Sequence, residues 1–408
     1  MNLKSENDRI AVSGRFFRGL PSGVVTLGFV SMFMDISSEL IHSFLPVLMT
    51  SVLGAGVLIV GIIEGVSEAA ASFMKVFSGS LSDSLRKRKP LVLLGYGLSA
   101  LTKPFFPLAE TAAWVFSARF VDRIGKGIRG APRDALIADG TPPELRGTAY
   151  GLRQALDSVG AFLGPLLAFF LMMLFSGNIR SVMWVSVVPA VLSVILLLAG
   201  VRESPGEGGK GKRHALFGAP LAQLPGRYWL IVLLGLLFTL ARFSEAFLLL
   251  RALDTGLSAA YTPLLMVGMN VVYAGTSYPA GILSDRFGSR AQLAAGLALL
   301  VAAHVVLAAA QHPFTVFAGV LLWGGHMGFT QGVLSKLVAN HVQERFRGTA
   351  FGVFNLATGL AVLLASLIAG ALWEAAGPKA TFLAGAVFAG VAAVCLFLSR
   401  FQEMHESP

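Results

Sequence analysis

Charged side chains recur at helical spacing inside stretches of this chain that are otherwise apolar. In the first half, away from the cytoplasmic helix ends, six acids (Asp35, Glu39, Glu64, Glu68, Asp122 and Asp157) and six bases (Lys75, Lys103, Arg119, Arg123, Lys126 and Arg153) lie in such stretches. At about 2.5–3.5 kcal/mol each, twelve groups facing lipid at mid-bilayer would cost on the order of 30 kcal/mol, beyond the roughly 5–15 kcal/mol that stabilises a domain. They must line water or pair with one another. Helical spacing puts Asp35, Glu39 and His42 on one face, Glu64, Glu68 and Lys75 on a second, and Arg119, Arg123 and Lys126 on a third. The three faces are expected to point inward together.

Two chemistries fit these residue types. Desolvation disfavours the charged form of a carboxylate in a membrane cavity, so such a group can take up and release protons near the working pH. Asp35, Glu39, Glu64, Glu68, Asp122, Asp157 and Glu245 are the candidates. Glu39 stands out because Ser38-Glu39 has a counterpart in Ser244-Glu245, at an offset of 206 residues. The guanidinium groups of Arg123, Arg153 and Arg242 offer planar forks of donors to an anionic group on a solute, and Phe243 and Tyr273, with Phe238, Phe247 and Tyr278, supply aromatic surface. Plainer readings stand beside these. Arg153 and Asp157 are one turn apart and can neutralise each other; Asp122, Arg123 and Lys126 can form a packing network; His304 and His326 read as packed histidines. If the arginines are all neutralised, an amphipathic or cationic solute fits as well as an anionic one. Asp35, Glu39 and His42 could hold a divalent metal, but no second His or Cys cluster supports that.

The elements that carry these residues must be membrane helices. Hydrophobic residues make up 55% of the 408 and charged residues 13%, about half the share of a soluble domain, and mean hydropathy is +0.72. Residues 187–201 are apolar except for Ser193, where a membrane strand would alternate. About twelve runs of spanning length are laid out between residues 23 and 401. In the first half they fall near 23–52, 57–82, 90–109, 112–136, 147–175 and 181–201; in the second, near 227–252, 260–286, 290–310, 313–340, 348–374 and 378–401. A Gly-, Lys-, Pro- and Arg-rich linker at 202–226 divides an N-terminal six-helix bundle at 23–201 from a C-terminal one at 227–401, with polar segments at 1–22 and 402–408. The first helix is expected to be retained, since the polar residues ahead of it and its unbroken apolar run do not read as a cleaved signal.

The net charge of +10 is distributed as topology. Arg9, Arg15, Arg18, Arg86 to Lys89, Arg202, Lys210, Lys212, Arg213, Arg227, Arg286 and Arg290 fall on one side if the helices alternate, whereas the opposite loops hold little more than Arg180, Arg251 and Lys379. The positive-inside rule then puts both termini and the linker in the cytoplasm, in an inner membrane. Nothing in this pattern calls for nucleic acid. Cys395 is the single cysteine, which excludes an internal disulfide.

The halves are related. Gly79-Ser-Leu-Ser-Asp83 recurs as Gly281-Ile-Leu-Ser-Asp285, and Arg146-Gly-Thr-Ala-Tyr-Gly151 as Arg347-Gly-Thr-Ala-Phe-Gly352, at offsets of 202 and 201 residues. Duplication in so apolar a chain implies a transporter. An acid at each of these helix ends can pair with a base on the other half, Asp83 with Arg347 and Asp285 with Arg146, as a latch that holds one face closed; a static surface pair is the plain alternative.

These motifs carry a resemblance to the major facilitator superfamily over essentially the full length. Gly79, Leu81, Asp83, Lys87, Arg88 and Lys89 resemble the family's loop between helices 2 and 3, although Ser84 and Arg86 depart from it; Gly281, Asp285, Arg286, Gly288 and Arg290 form its second copy. Arg123 and Gly127 resemble the fourth-helix pattern. Gly160-x-x-x-Gly164-Pro165 is similar to the signature of proton-driven exporters, with Ala168 and Phe169 where those keep glycines. The resemblance implies two pseudo-symmetric six-helix bundles, a central cavity, and Gly79, Asp83, Arg146, Gly281, Asp285, Arg290 and Arg347 as a cytoplasmic gate. No His-Glu-x-x-His is present, and Gly125-Lys126-Gly127 lacks the rest of a phosphate loop, so an enzyme is not expected. The reading is an all-α integral membrane protein, a monomer without cofactor, that moves a small organic solute, anionic or amphipathic, out of the cell in exchange for protons; uptake by proton symport is the alternative, and a divalent-metal carrier a further one.

Overall fold

The computed structural model describes residues 20–85, 88–201, 224–330, 333–343 and 346–398, and these form helices and turns with no strand among them. Helix α1 runs over Ser22–His42. Pro46 has no N–H to offer the His42 carbonyl, so the ladder stops there. The Ser43 hydroxyl turns back to the Glu39 carbonyl at 2.7 Å, and α1 resumes at Leu45–Val47 and closes in a π turn at Leu48–Val52. Five rods complete the first half: α2 (Val57–Leu85), α3 (Lys89–Thr102, continued by Phe105–Leu108), α4 (Ala112–Asp139), α5 (Arg146–Leu174) and α6 (Ile179–Val185 and Val187–Gly200).

The second half repeats the plan. Helix α7 runs over Gly226–Ala241, breaks, and resumes at Ala246–Asp254. Helices α8 and α9 form one run, Thr262–Ala309, interrupted at Gly288, whose φ of 82° a glycine adopts without steric cost. Helix α10 covers Pro313–Thr330 and Val333–His341, and α11 and α12 form the run Arg347–Leu398 interrupted at Gly377. The described residues thus make twelve rods. The breaks in α1 and α7 lie nearly the same distance apart as the repeated motifs, so they match His42 with Arg242 and not Glu39 with Glu245 as the offset of 206 implied.

Eight segments are long and apolar enough to cross a membrane, the last being the two-helix run Thr349–Leu398. Helix α4 is not among them because it carries too many charges, and the structure shows where they go: Arg119, Asp122, Arg123 and Arg129 are each at most 4% exposed. The outer surface is apolar instead, with Leu101, Phe170, Leu174, Val188, Phe314 and Leu398 more than half exposed. In water such a surface would aggregate; against acyl chains it is the matched one.

The bundles meet along α2 with α11 and α5 with α8. At the end away from Ser22 and Gly226 the contact is close. The Leu58 N–H donates to Glu374 Oε1 at 3.0 Å, the Thr262 hydroxyl reaches the Ser43 carbonyl at 3.4 Å, and the rings of Phe169 and Tyr261 are 5.9 Å apart. A Cβ on Gly370 would stand 2.9 Å from the Leu58 Cα, so only glycine permits that approach.

Within the first half, α1 crosses α5 over Gly160 and Gly164. A Cβ on Gly164 would stand 2.7 Å from the Glu39 Cβ and 2.9 Å from the Ile36 carbonyl. The residues that resemble an exporter signature therefore act here as the groove that seats α1. We expect Gly164→Val to overpack this crossing by about 1–3 kcal/mol and to lower the thermal midpoint in detergent by several degrees. An unchanged midpoint would show that α1 and α5 are not held this closely.

Candidate functional site

Two connected chambers open between the bundles. The inner one, about 650 Å³, is lined from the first half by Glu39, His42, Glu64, Glu68, Arg123 and Lys126. From the second half come Arg242, Phe243 and Glu245 of the α7 break, together with an apolar wall that includes Phe238, Met266, Met269, Met327 and Phe354. The outer chamber, about 480 Å³, shares Glu39, Lys126 and Asn270 with it and adds Asp35, Lys75, Arg129, Arg133, Arg153, Asp157 and Tyr273. Those residues lie toward the ends of α2, α4 and α5 that flank the start of α1, so the second chamber leads to the face that carries Ser22 and Gly226.

Charges on the first-half wall are largely paired. Arg119 Nη2 donates to Glu64 Oε2 at 2.9 Å, Arg123 Nε lies 3.1 Å from Glu68 Oε1, and Arg153 Nη1 donates to Asp157 Oδ2 at 2.7 Å. The His42 ring bridges two acids, 3.6 Å from Glu39 and 3.8 Å from Glu64. Ser244, from the α7 break, donates its hydroxyl to Glu64 Oε2 at 3.4 Å and so connects the halves. By contrast, Lys75, Lys126 and Arg242 among the bases, and Asp35 and Glu245 among the acids, have no ion-pair partner within 4 Å among the described residues. These unpaired groups are the ones a solute or a proton could meet.

Several expected residues are placed differently. Asp122 lines neither chamber; it accepts from Lys103 Nζ at 3.0 Å in a dry contact of α4 with α3, where Lys103 also donates to Ser38 Oγ at 3.0 Å. The reason is angular, since one residue along a helix turns the side chain by about 100° and so carries Asp122 away from the face of Arg123. Arg290 donates to the Phe397 carbonyl of α12 at 2.6 Å, inside its own bundle, and Arg146 lies on the surface with its Nε donating to the Ala138 carbonyl at 3.3 Å. Gly79 faces α4, where a Cβ would meet that of Ala131 at 3.3 Å. The side chains of Asp83, Asp285 and Arg347, with Gly281 and Tyr278, lie outside the described residues, so both proposed latch pairs do too. Phe243 and Tyr273 do line the chambers, and Arg153 does so while neutralised by Asp157. Among the described residues no three His, Cys, Asp or Glu side chains converge as a metal site would.

Other lining residues had no role assigned from sequence. Arg129, whose guanidinium lies 4.7 Å from the Tyr96 ring centre, and Arg133, which donates to Ser31 Oγ at 2.7 Å, continue the basic side of α4 toward its end. Their spacing from Lys126 was legible, but they read as helix-end charges. Asn270, which donates to the Ala161 carbonyl at 3.1 Å, and Asn355 are lone amides in apolar helices and gave no signal.

The sequence profile described as Major Facilitator Superfamily matches residues 27–253 and 231–408. An MFS-type transporter of Methanocaldococcus jannaschii is 34% identical over 387 residues, covering 93% of this chain and 95% of that one. The multidrug resistance protein MdtH of Proteus mirabilis is 28% identical over 182 residues, 45% of this chain and 42% of the relative. Among solved structures, the nucleoside transporter NupG superposes with a TM-score of 0.74 at 14% identity, covering 92% of this chain and 98% of that one.

The Lys103–Asp122 pair yields a direct expectation. Lys103→Met strands a buried carboxylate and should cost about 3–5 kcal/mol, whereas Lys103→Met combined with Asp122→Leu should recover most of it. Thermal unfolding in detergent reads both, and equal losses in the single and double variants would mean that the pair is not a dry one.

Proposed function

The chain belongs to the major facilitator superfamily and is a multi-pass membrane transporter, not an enzyme, and from that premise we propose that it exports a small organic solute in exchange for protons by alternating access. One observation carries the coupling: Glu39 and Glu245 line a single chamber from opposite bundles, and neither has a lysine or arginine within 4 Å among the described residues. A carboxylate that is wet and not fixed by a strong cation can give up its charge to a proton. If a solute with a positive or strongly polar group needs those same carboxylates ionised, solute and proton compete, and competition for one site is exchange. Export is supported by the similarity to a multidrug resistance protein over 45% of this chain. The basic loops support an orientation with both termini in the cytoplasm of an inner membrane; the chamber that leads to the terminal face then opens to the cytoplasm, and the sealed end faces out.

A second reading has its own support. Lys126 and Arg242, from opposite bundles, line the inner chamber with no ion-pair partner within 4 Å among the described residues, and an organic anion placed between them would bind better when Glu245 is protonated. Anion and proton would then favour each other, which is symport. The sign of the coupling therefore separates the two readings.

Reconstituted in liposomes and offered labelled cations, zwitterions and anions, the protein is expected to accumulate its solute when the lumen is acidic. Glu39→Gln and Glu245→Gln should each reduce that accumulation to the level of empty liposomes. Accumulation driven by an acidic exterior would replace exchange with symport. Transport indifferent to the gradient and to both substitutions would remove proton coupling altogether.

A further inference from the structure

The α7 break puts Arg242 and Glu245 into the cavity, yet Arg242, Phe243, Ser244 and Glu245 contain no proline to force it. Where helix α7 stops at Ala241, no backbone N–H among the described residues donates to the Ala241 carbonyl. A buried carbonyl without a donor is unfavourable, so an interrupted helix needs one supplied from outside. His304 of α9 supplies it, with Nε2 2.8 Å from the Ala241 oxygen. A carbonyl only accepts, so Nε2 carries the hydrogen and the ring is in that tautomer.

His304 is fully buried and lines neither chamber. Its ring lies among Trp323 at 5.3 Å, Phe382 at 6.0 Å and Phe243 of the break at 5.3 Å. Room for it exists because position 385 is glycine, where a Cβ would stand 2.5 Å from Nε2. Nδ1 has no partner. A phenylalanine would suit such surroundings better than an imidazole with one unsatisfied nitrogen, so packing alone does not explain a histidine here; its one polar contact, to the broken helix, does. His326 makes a similar contact to the Gly296 carbonyl, but that carbonyl lies within helix α9 rather than at a break.

We infer that His304 is a positioning residue: by capping the Ala241 carbonyl and packing on Phe243 it holds the break in α7, and so directs Arg242 and Glu245 into the chamber without touching solute or proton. The role of those two residues in transport rests on the function proposed above; the geometry does not.

The test reads geometry first. In a Cys395→Ser background, Glu245→Cys reports the chamber through its rate of modification by a charged methanethiosulfonate reagent in nanodiscs. His304→Phe is expected to change that rate by about tenfold, the scale of losing one buried hydrogen bond. His304→Gln, whose amide N–H reaches where Nε2 stands, should restore it, and His304→Asn, one methylene shorter, should not. A Phe variant that reacts like the parent overturns the inference, as does an Asn variant that rescues as well as Gln; the Gln and Asn comparison decides the matter if the Phe variant does not fold. If the modification rates follow the expectation while solute accumulation is unaffected in every His304 variant, the positioning stands and the proposed role of Arg242 and Glu245 falls.

Discussion

Charge inside a bilayer must be paired or wet, and the first bundle is organised by that requirement. Helix α4 carries its charges as a central rod because each direction meets a partner: α2 through Arg119–Glu64 and Arg123–Glu68, α3 through Asp122–Lys103. Glu64 is the node, since its Oε2 meets Arg119, His42 and Ser244 and thereby gathers α1, α4 and α7 around α2. Buried pairs of this kind are weak sources of stability compared with apolar side chains of similar volume. Their presence in number argues for a demand other than stability, namely walls that stay polar while water and solute pass.

The second bundle meets the demand differently. Its wall mixes Met and Phe with uncharged Thr and Asn side chains, and its lining Arg and Glu come from the α7 break. A continuous helix would leave the backbone there fully hydrogen-bonded and would present one side chain per turn. Interrupting it places Arg242, Phe243, Ser244 and Glu245 together, with Ser244 accepting from the Ala246 N–H at 3.2 Å to restart the helix. Breaks in both α1 and α7 border the same inner chamber, through His42 in the one and Arg242 in the other, which is where discontinuous membrane helices serve substrates and ions in general.

Much of this was legible in the letters. The duplication, the twelve rods and the convergence of the charged faces of α1, α2 and α4 follow from spacing and from the cost of charge in lipid. What spacing could not supply was the partner across space. Asp122 adjoins Arg123 in sequence but points off its face, and only the structure shows that Lys103 on another helix takes it up. The α1 break has a proline as its sign; the α7 break has none, because its cause is a histidine sixty-odd residues away in sequence and 2.8 Å away in space. Asn270 and Asn355 likewise became visible only once neighbouring helices closed around them.

Glu39 shows how packing and charge are joined. Its Cβ faces the hollow left by Gly164, and its carbonyl accepts from both the Ser43 backbone N–H and the Ser43 hydroxyl at the α1 break. The carboxylate therefore sits on a segment packed closely on one side against α5 and ending, three residues on, where α1 bends. A change in its charge alters its attraction to His42, three residues on and immediately before the break. The α5 contact is the closer of the two, so displacement is expected in the part of α1 beyond the bend, Leu45–Val47, which packs against α7 at the sealed end. A group that exchanged protons at Glu39 would thus act on the seal through the bend, with no need for a separate messenger.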